Sequence, residues 1–469
     1  MTNSTNSILD SKGIELDTEL DVLIVGGGGC GLCAALAAHE TGASVAILER
    51  DASALGTTAM STGLIPAAGS ALQKIAGVND SIEIFAEDIL KKAKQKADRD
   101  VVYALAKESA RTIDWLTDTY RLPLTLVDGF TYPGHSVRRM HGMPGRSGQE
   151  LMGALSQAVE ACEIPLLTNA TVTELYADAD GRVNGVRYQD PDGNYENIGC
   201  KALILACCGF AGNEDMVKEY IPEISKGVFF GHPGNKGDAV RWGLALGAQV
   251  ADMHAYQGHA GLAKGHGIPI LWPIIMEGGV QINNLGERFS NEALGYSEQA
   301  VNVLQQPDAE AWTFYDQRLH ELMLEFTDYQ HALEAKAIKS APSLKEIAAV
   351  CNVPLETLEN TLNNISTCAD SGKKDEFGRQ FESTNKLSAP YYAVKVTGAL
   401  FHTQGGLEVD HNARVLNQDG QPLPNLYAGG GAARGVSGTG ADGYIAGNGL
   451  LTATTFGRLA GIHSGKSLS

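Results

Sequence analysis

An apolar run, Val22-Leu-Ile-Val25, opens directly into four glycines, and a little further on a second run, Val45-Ala-Ile-Leu48, ends on Glu49. Strand, glycine turn, helix and strand follow one another in so short a span that the chain is committed early to a parallel, doubly wound α/β sheet. Gly26, Gly28 and Gly31 fill the G-x-G-x-x-G spacing. The first permits the tight turn, the second lets the backbone approach a pyrophosphate, and the third lets the helix pack against the strand. The helix N-terminus offers unpaired N–H groups and a positive dipole end to a phosphate. Glu49 is placed to accept hydrogen bonds from a ribose, which disfavours a 2′-phosphate. The pattern predicts a bound dinucleotide.

At 469 residues the chain exceeds the size at which one core usually stops growing, so two domains are expected. A net charge of −19 with no cluster of Lys and Arg argues against a nucleic-acid partner. The eight cysteines show no paired metal-ligand spacing and read as reduced thiols. Cys30 and Cys33 form a C-x-x-C inside the glycine turn and helix, where small residues serve packing, and the vicinal Cys207-Cys208 reads as core. Residues 1–20 are polar and acid-rich, without a basic start or an apolar stretch, and are expected to form a disordered tail. No apolar run approaches a membrane span, so a cytoplasmic protein with no membrane partner is expected.

Gly56 to Gly69 is a loop of small and hydroxyl residues too long to be a simple connector, and such loops line ligands. Helices are expected near 81–96 and 100–119, followed by an irregular Gly, Pro and Arg-rich segment over 128–146 that reads as an exposed loop. Thr171–Tyr176 and Val183–Tyr188, joined by Asp178–Gly181, read as a hairpin, and Lys201–Gly209 as a strand returning to the parallel sheet. The pattern changes to short strands and polar helices near residue 254 and returns near 400, where Leu423–Gly431 echoes the opening motif and a last helix follows near 447–463. The expected fold is α/β: a Rossmann-like domain split in sequence, 21–253 and 400–469, with an inserted α+β capping domain, 254–399.

Taken together, Val22–Gly29, Asn283–Glu292, His402–Asp410 and Asn425–Gly430 resemble the FAD-binding fumarate reductase and succinate dehydrogenase flavoprotein superfamily. The resemblance implies that the split domain binds FAD, that the cap closes over the isoalloxazine ring, and that hydride passes between flavin N5 and a carbon beside an activating group. Cofactor contacts are then expected at Gly26, Gly28, Gly31 and Glu49, at Thr57, Thr58, Ser61 and Gly63 of the hydroxyl-rich loop, and at Gly209, Asp238, Gly429, Gly430 and Asn448. That loop carries no histidine, which implies that FAD is held without a covalent bond.

The dicarboxylate-reducing members of that superfamily use an arginine acid, an arginine–glutamate relay and a second arginine that clamps a carboxylate. Here Tyr296 stands at the acid position, Trp272 and Ile275 at the relay and Tyr444 at the clamp. Tyrosines at these places resemble the 3-ketosteroid dehydrogenase and cyclic-ketone desaturase branch. The resemblance implies that Tyr296 takes the proton α to a ketone while Tyr444 and a backbone N–H hold the oxygen. Such a step needs preorganised donors on the oxygen, each worth on the order of 3–4 kcal/mol. A phenol of ordinary pKa about 10 also serves as base only where its anion is stabilised. His259 and His402 match carboxylate-binding positions of the dicarboxylate branch, or alternatively support the strand beneath the flavin. Tyr132 is a further candidate pocket wall, and Arg138, Arg139 and Arg146 are read first as a solvated loop face.

The expected activity is FAD-dependent desaturation of a ketone, cyclic or steroidal, with a small-molecule ketone and an unidentified electron acceptor as partners. The alternatives are an ene-reductase, a fumarate-reductase-like reductase of an unsaturated acid and, from another class, an electron-relay flavoprotein subunit.

Overall fold

The computed structural model describes residues 8–16, 18–128 and 130–467. Strand Glu19–Val25, helix Gly29–His39 and strand Val45–Leu48 form the predicted opening unit, and the two strands are parallel neighbours with Ile24 opposite Ile47. Gly26 has φ +107, and a Cβ there would stand 2.6 Å from the Ala206 carbonyl oxygen; one on Gly31 would stand 1.9 Å from the oxygen of Gly26. Only hydrogen fits at either place, so the helix starts in contact with its own turn.

Around this unit runs a nine-stranded sheet in the order Ile8–Asp10, Thr171–Ala177, Val183–Gln189, Tyr195–Leu205, Glu19–Val25, Val45–Leu48, Leu166–Leu167, with Pro422–Ala428 and Arg414–Leu416 joining at Tyr195–Leu205. Tyr195–Leu205 serves two purposes. Its first half closes the antiparallel hairpin on Val183–Gln189, while Leu203–Leu205 lies parallel to both Leu23–Val25 and Leu426–Ala428. Val22, Leu23 and Ile24 are fully buried, which is why this strand reads as an unbroken apolar run. Helix Gly29–His39 is buried from Gly29 to Ala38, wedged between the sheet and the C-terminal helix Asn448–Lys466. Gly457 and Gly461 bring the two helices together: a Cβ on either would stand 2.4 Å from Cys30 O or 2.2 Å from Ala34 O.

A second sheet of six strands is built on the long strand Tyr391–Thr403, which pairs with Val228–Phe229, Tyr256–Ala263, Glu310–Asp316 and Ile338–Ala341; Val280–Ile282 pairs with Glu310–Asp316. It therefore takes strands from 228 to 403, beyond both ends of the 254–399 insertion that the sequence suggests. Helix Tyr296–Leu304 lies on Tyr256–Ala263, where the Gly258 N–H donates to Ser297 Oγ at 2.8 Å and the missing side chain of Gly258 leaves room for Ala300.

Two expectations change. Of the tail placed at 1–20, residues 1–7 and 17 lie outside the described residues, but Ile8–Asp10 is a strand parallel to Leu175–Ala177, its apolar residues half-buried at the sheet edge. The 128–146 segment is not a solvated loop face throughout. Met140–Gly142 is a buried strand between Ile65–Pro66 and Thr125–Leu126, and Arg139 is fully buried between Asp80 and Asp88.

Candidate active site

A cavity enclosing about 1860 Å³ of space, part of it open to solvent, runs between the glycine turn and the six-stranded sheet. At one end stand Gly26, Gly28, Glu49, Thr57, Thr58, Ser61, Asp238 and Gly430; at the other stand Tyr132, His259, Tyr296, His402 and Tyr444. The sequence places all of these in the site, and the fold brings them to one cavity wall.

The residues at the first end fit a nucleotide. A Cβ on Gly28 meets no atom within 4 Å, so the bare backbone there is the cradle that a side chain would fill. Helix Gly29–His39 has a glycine, Gly28, at its cap and helix Asn448–Lys466 has Gly447, so neither cap residue brings a side chain over the two N-termini that face the cavity. Glu49 Oε2 accepts the Gly27 N–H at 2.7 Å and Oε1 accepts that of Asp51 at 2.9 Å, so the carboxylate also holds the turn in shape. Thr58 Oγ1 accepts the Gly29 N–H, and Thr57 Oγ1 accepts from Asn235 Nδ2 at 2.9 Å.

Five expected cofactor residues do not line the cavity; they pack behind it. Gly31 meets Gly26, and a Cβ on Gly63, at φ +66, would stand 2.7 Å from Ser147 O. On Gly209 it would stand 2.0 Å from Thr403 Oγ1 and on Gly429 2.7 Å from Cys30 Sγ. Asn448 is fully buried, with Nδ2 donating to Ser437 Oγ at 2.7 Å. Cys207 and Cys208, read as core, instead reach the cavity, as do Arg50, Gln257, Gln404 and Asp328, which the sequence reading missed. Arg50 was findable, since it follows Glu49 directly; the glutamines carry no signal in spacing.

At the second end the chain builds an aromatic box. Tyr296 is the first residue of its helix, and Tyr444 follows the short turn Ala441–Gly443. Their ring centroids lie 5.9 Å apart, with His259 at 5.0 Å and Trp272 at 5.8 Å from Tyr296. The Gly449 N–H, in the first turn of the C-terminal helix, donates to Tyr444 Oη at 3.4 Å. His259 lies between two irregularities of strand pairing that re-aim its side chain, and it stacks on Phe401 at 4.8 Å. His402 sits edge-on to Tyr444 at 5.7 Å. Ile275 is buried in the core of the second sheet.

Burial sets the protonation of this end. It pushes Tyr296 well above an ordinary phenol, with neighbouring Tyr444 adding to the effect, and raises Tyr444 and Tyr132 as well. All three phenols hold their protons at neutral pH. Burial likewise lowers His259 to about 3 and His402 to about 4, so both imidazoles are neutral. His259 Nδ1 accepts the Gly261 N–H at 3.0 Å, which puts its proton on Nε2. Among the described lining residues Arg50 is the sole permanent cation, and Gly234 O, Asp51 and His232 already engage it. No described residue group could hold a metal ion, and no described helix is long and apolar enough to cross a membrane.

Comparison with known proteins places this arrangement. A probable fumarate reductase, Ifc3, of Shewanella frigidimarina (strain NCIMB 400) is 30% identical over 447 residues, covering 95% of this chain and 74% of that protein. The open conformation of a flavocytochrome c3 fumarate reductase matches with a TM-score of 0.79 at 28% identity, over 96% of this chain and 79% of that one. A 3-ketosteroid-Δ4-(5α)-dehydrogenase from Rhodococcus jostii RHA1 shares the fold, with a TM-score of 0.76 at 23% identity over 97% of this chain and 98% of the other. Residues 21–450 match the FAD binding domain family, and the chain belongs to it as an FAD-dependent oxidoreductase.

Proposed function

We propose that the chain interconverts a ketone and its α,β-unsaturated counterpart, and that at neutral pH it works as a reductase of the C=C bond. The observation that carries this reading is the pair Tyr296 and Tyr444, both buried and both protonated, in a wall whose substrate end has no cationic side chain among the described residues. When bound, FAD supplies the hydride exchanged with the β-carbon. Tyr296 gives its phenolic proton to the α-carbon. Tyr444 Oη, which accepts the Gly449 N–H, donates its own proton towards the carbonyl oxygen as negative charge gathers there, and His259 Nε2–H is a further neutral donor. Run backwards, the same atoms perform the desaturation that the sequence resemblance implies, starting from the Tyr296 anion that reduction leaves behind, so the protonated resting form at neutral pH is ready for reduction and must lose its proton before desaturation. We assign the nine-stranded sheet to FAD and the six-stranded sheet to the cap.

A dicarboxylate is poorly served here, because neither histidine is charged and a buried carboxylate without a counter-charge is costly. Dithionite-reduced enzyme mixed anaerobically with cyclohex-2-enone or 4-androstene-3,17-dione should regain its oxidised flavin band faster than with fumarate. Reoxidation by fumarate at an equal or greater rate would overturn the proposal. Saturated ketones should bleach the oxidised enzyme slowly at pH 7 and faster at pH 9.

The cofactor should be released by acid or heat, since the Thr57–Thr62 stretch offers no histidine for a covalent bond. Glu49→Ala should weaken FAD by roughly 10–100-fold, because hydrogen bonds to a charged acceptor are worth about 1.5–3 kcal/mol and the Gly27 turn loses its anchor. Titration of apoprotein with FAD by flavin fluorescence measures this; an unchanged Kd removes Glu49 from the site.

A further inference from the structure

Tyr296 and Tyr444 come from segments far apart in sequence, and both are fastened to the end of a single helix, Ile82–Lys92. Lys92 Nζ donates to the Leu294 carbonyl oxygen at 2.8 Å and to Glu298 Oε1 at 2.6 Å. Leu294 stands just before Tyr296, and Glu298 lies in the first turn of the helix that Tyr296 begins. The ammonium group therefore grips the Tyr296 turn from both sides. Its side chain is only 11% exposed, and a Cβ on Gly134 would touch its stem. Two residues on, where the backbone turns left-handed at Lys94 and Gln95, Lys94 pairs with Asp442 in the turn that leads into Tyr444. A Cβ on Gly443 would stand 3.3 Å from Ala93 Cα, so this turn lies against the helix end as backbone on backbone.

We propose that Lys92 is a positioning residue for proton transfer, holding Tyr296 at its working distance from Tyr444 through Leu294 O and Glu298, with Lys94 and Asp442 fastening the other tyrosine to the same helix end. This rests on the role proposed for Tyr296. Lys92 Nζ bonds to Leu294 O and Glu298 and not to either phenol, so its effect passes through the turn it holds. The exposed Lys94–Asp442 pair contributes less, because solvent screens it. The buried Lys92–Glu298 pair carries the constraint, since breaking it leaves Glu298, whose Oε2 has no other partner, without its counter-charge.

The test uses holoenzyme reduced with dithionite and reoxidised by cyclohex-2-enone. Lys92→Met should lower the limiting rate by roughly 10–100-fold, as a misplacement of about 1 Å at a reacting group does, with KM and FAD affinity within about twofold of the parent. Lys92→Arg should recover most of the rate. Combined with Tyr296→Phe, Lys92→Met should add little, because the proton donor it positions is already gone. A merely structural lysine would lower stability and leave the limiting rate and the coupling untouched, and that result overturns the proposal. Should Lys92→Met give no folded holoenzyme, Glu298→Gln reads the same tie from the other side, and a parental limiting rate there overturns it equally. Tyr296→Phe alone separates the two readings. If it is slow while Lys92→Met is normal, the tie fails by itself; if it is normal, the role of Tyr296 fails and the tie with it.

Discussion

Tyr296→Phe should give a yellow, folded holoenzyme whose reoxidation by an enone is slower by roughly 10²–10⁴-fold, the usual contribution of a positioned proton donor. Phenylalanine keeps the ring that packs beside His259, Trp272 and Tyr444, so the loss is chemical and not one of packing. The pH dependence carries the sign of the assignment. Because the Tyr296 phenol is raised well above 10, the donor form is full through the neutral range, and enone reduction should stay flat there and fall only at strongly alkaline pH. Desaturation, needing the anion, should rise with pH over the same range. Neither histidine titrates near 6.5, since burial holds His259 at about 3 and His402 at about 4. Anaerobic stopped-flow traces of parent and Tyr296→Phe from pH 5.5 to 10 measure this. Equal rates in the two, or a break near 6.5 in the parent, would reassign the proton to a histidine.

Acid should destabilise this protein as pH falls below 6.5, with Asp328, which burial raises to about 6, offsetting part of the loss. Burial lowers six described histidines, four of them far: His135, His141 and His402 to about 4 and His259 to about 3. Each is neutral when folded, whereas an unfolded histidine takes up a proton near 6.5. Below that value the unfolded chain binds more protons than the folded one, so stability is complete above pH 6.5 and is lost as pH falls towards 4. With four such groups the slope reaches at most about 5 kcal/mol per pH unit. The local geometry shows why the neutral forms are required. His135 Nε2 donates to Ala446 O at 2.9 Å while Nδ1 faces the Arg139 guanidinium at 3.2 Å, where a second proton would meet a cation. His141 Nε2 bonds to Ser70 Oγ at 2.7 Å inside the core. Urea unfolding of holoenzyme at pH 7.5, 6 and 5 measures the effect; an unchanged free energy across this range would show that these imidazoles are open to water.

Local chemistry made much of the fold legible. The helices expected near 81–96 and 100–119 form as Ile82–Lys92 and Arg99–Asp118, started by the caps Ser81 and Asp98, and the Asp178–Gly181 turn does join a hairpin, because caps and turns are decided by a few neighbouring residues. What failed to show was decided at long range. Ile8–Asp10 is too short to display a period and becomes a strand only because Leu175–Ala177 offers an edge. Arg139 looks like a loop cation until Asp80 and Asp88, remote in sequence, close around it. The glycines divide the same way. Spacing marks Gly26, Gly28 and Gly31 together, but it cannot say that Gly28 faces the cavity while Gly209 and Gly429 yield room to Thr403 and Cys30. The candidate site was less legible still: only resemblance linked Tyr296 with Tyr444, and no pattern in the chain marked Lys92, whose partners are a carbonyl oxygen and one carboxylate on another element.

The glycine-lined contact between helices Gly29–His39 and Asn448–Lys466 also bears on how the protein comes into being in time. Both N-termini that face the cofactor cavity belong to this pair, and one is near the start of the chain while the other is near its end. At about 5–20 residues per second of synthesis, the first helix leaves the ribosome on the order of tens of seconds before its partner exists. Until then the face of Gly29–His39 that meets this helix has no mate and the flavin has half a cradle, so the full cofactor site exists only once Asn448–Lys466 has been made.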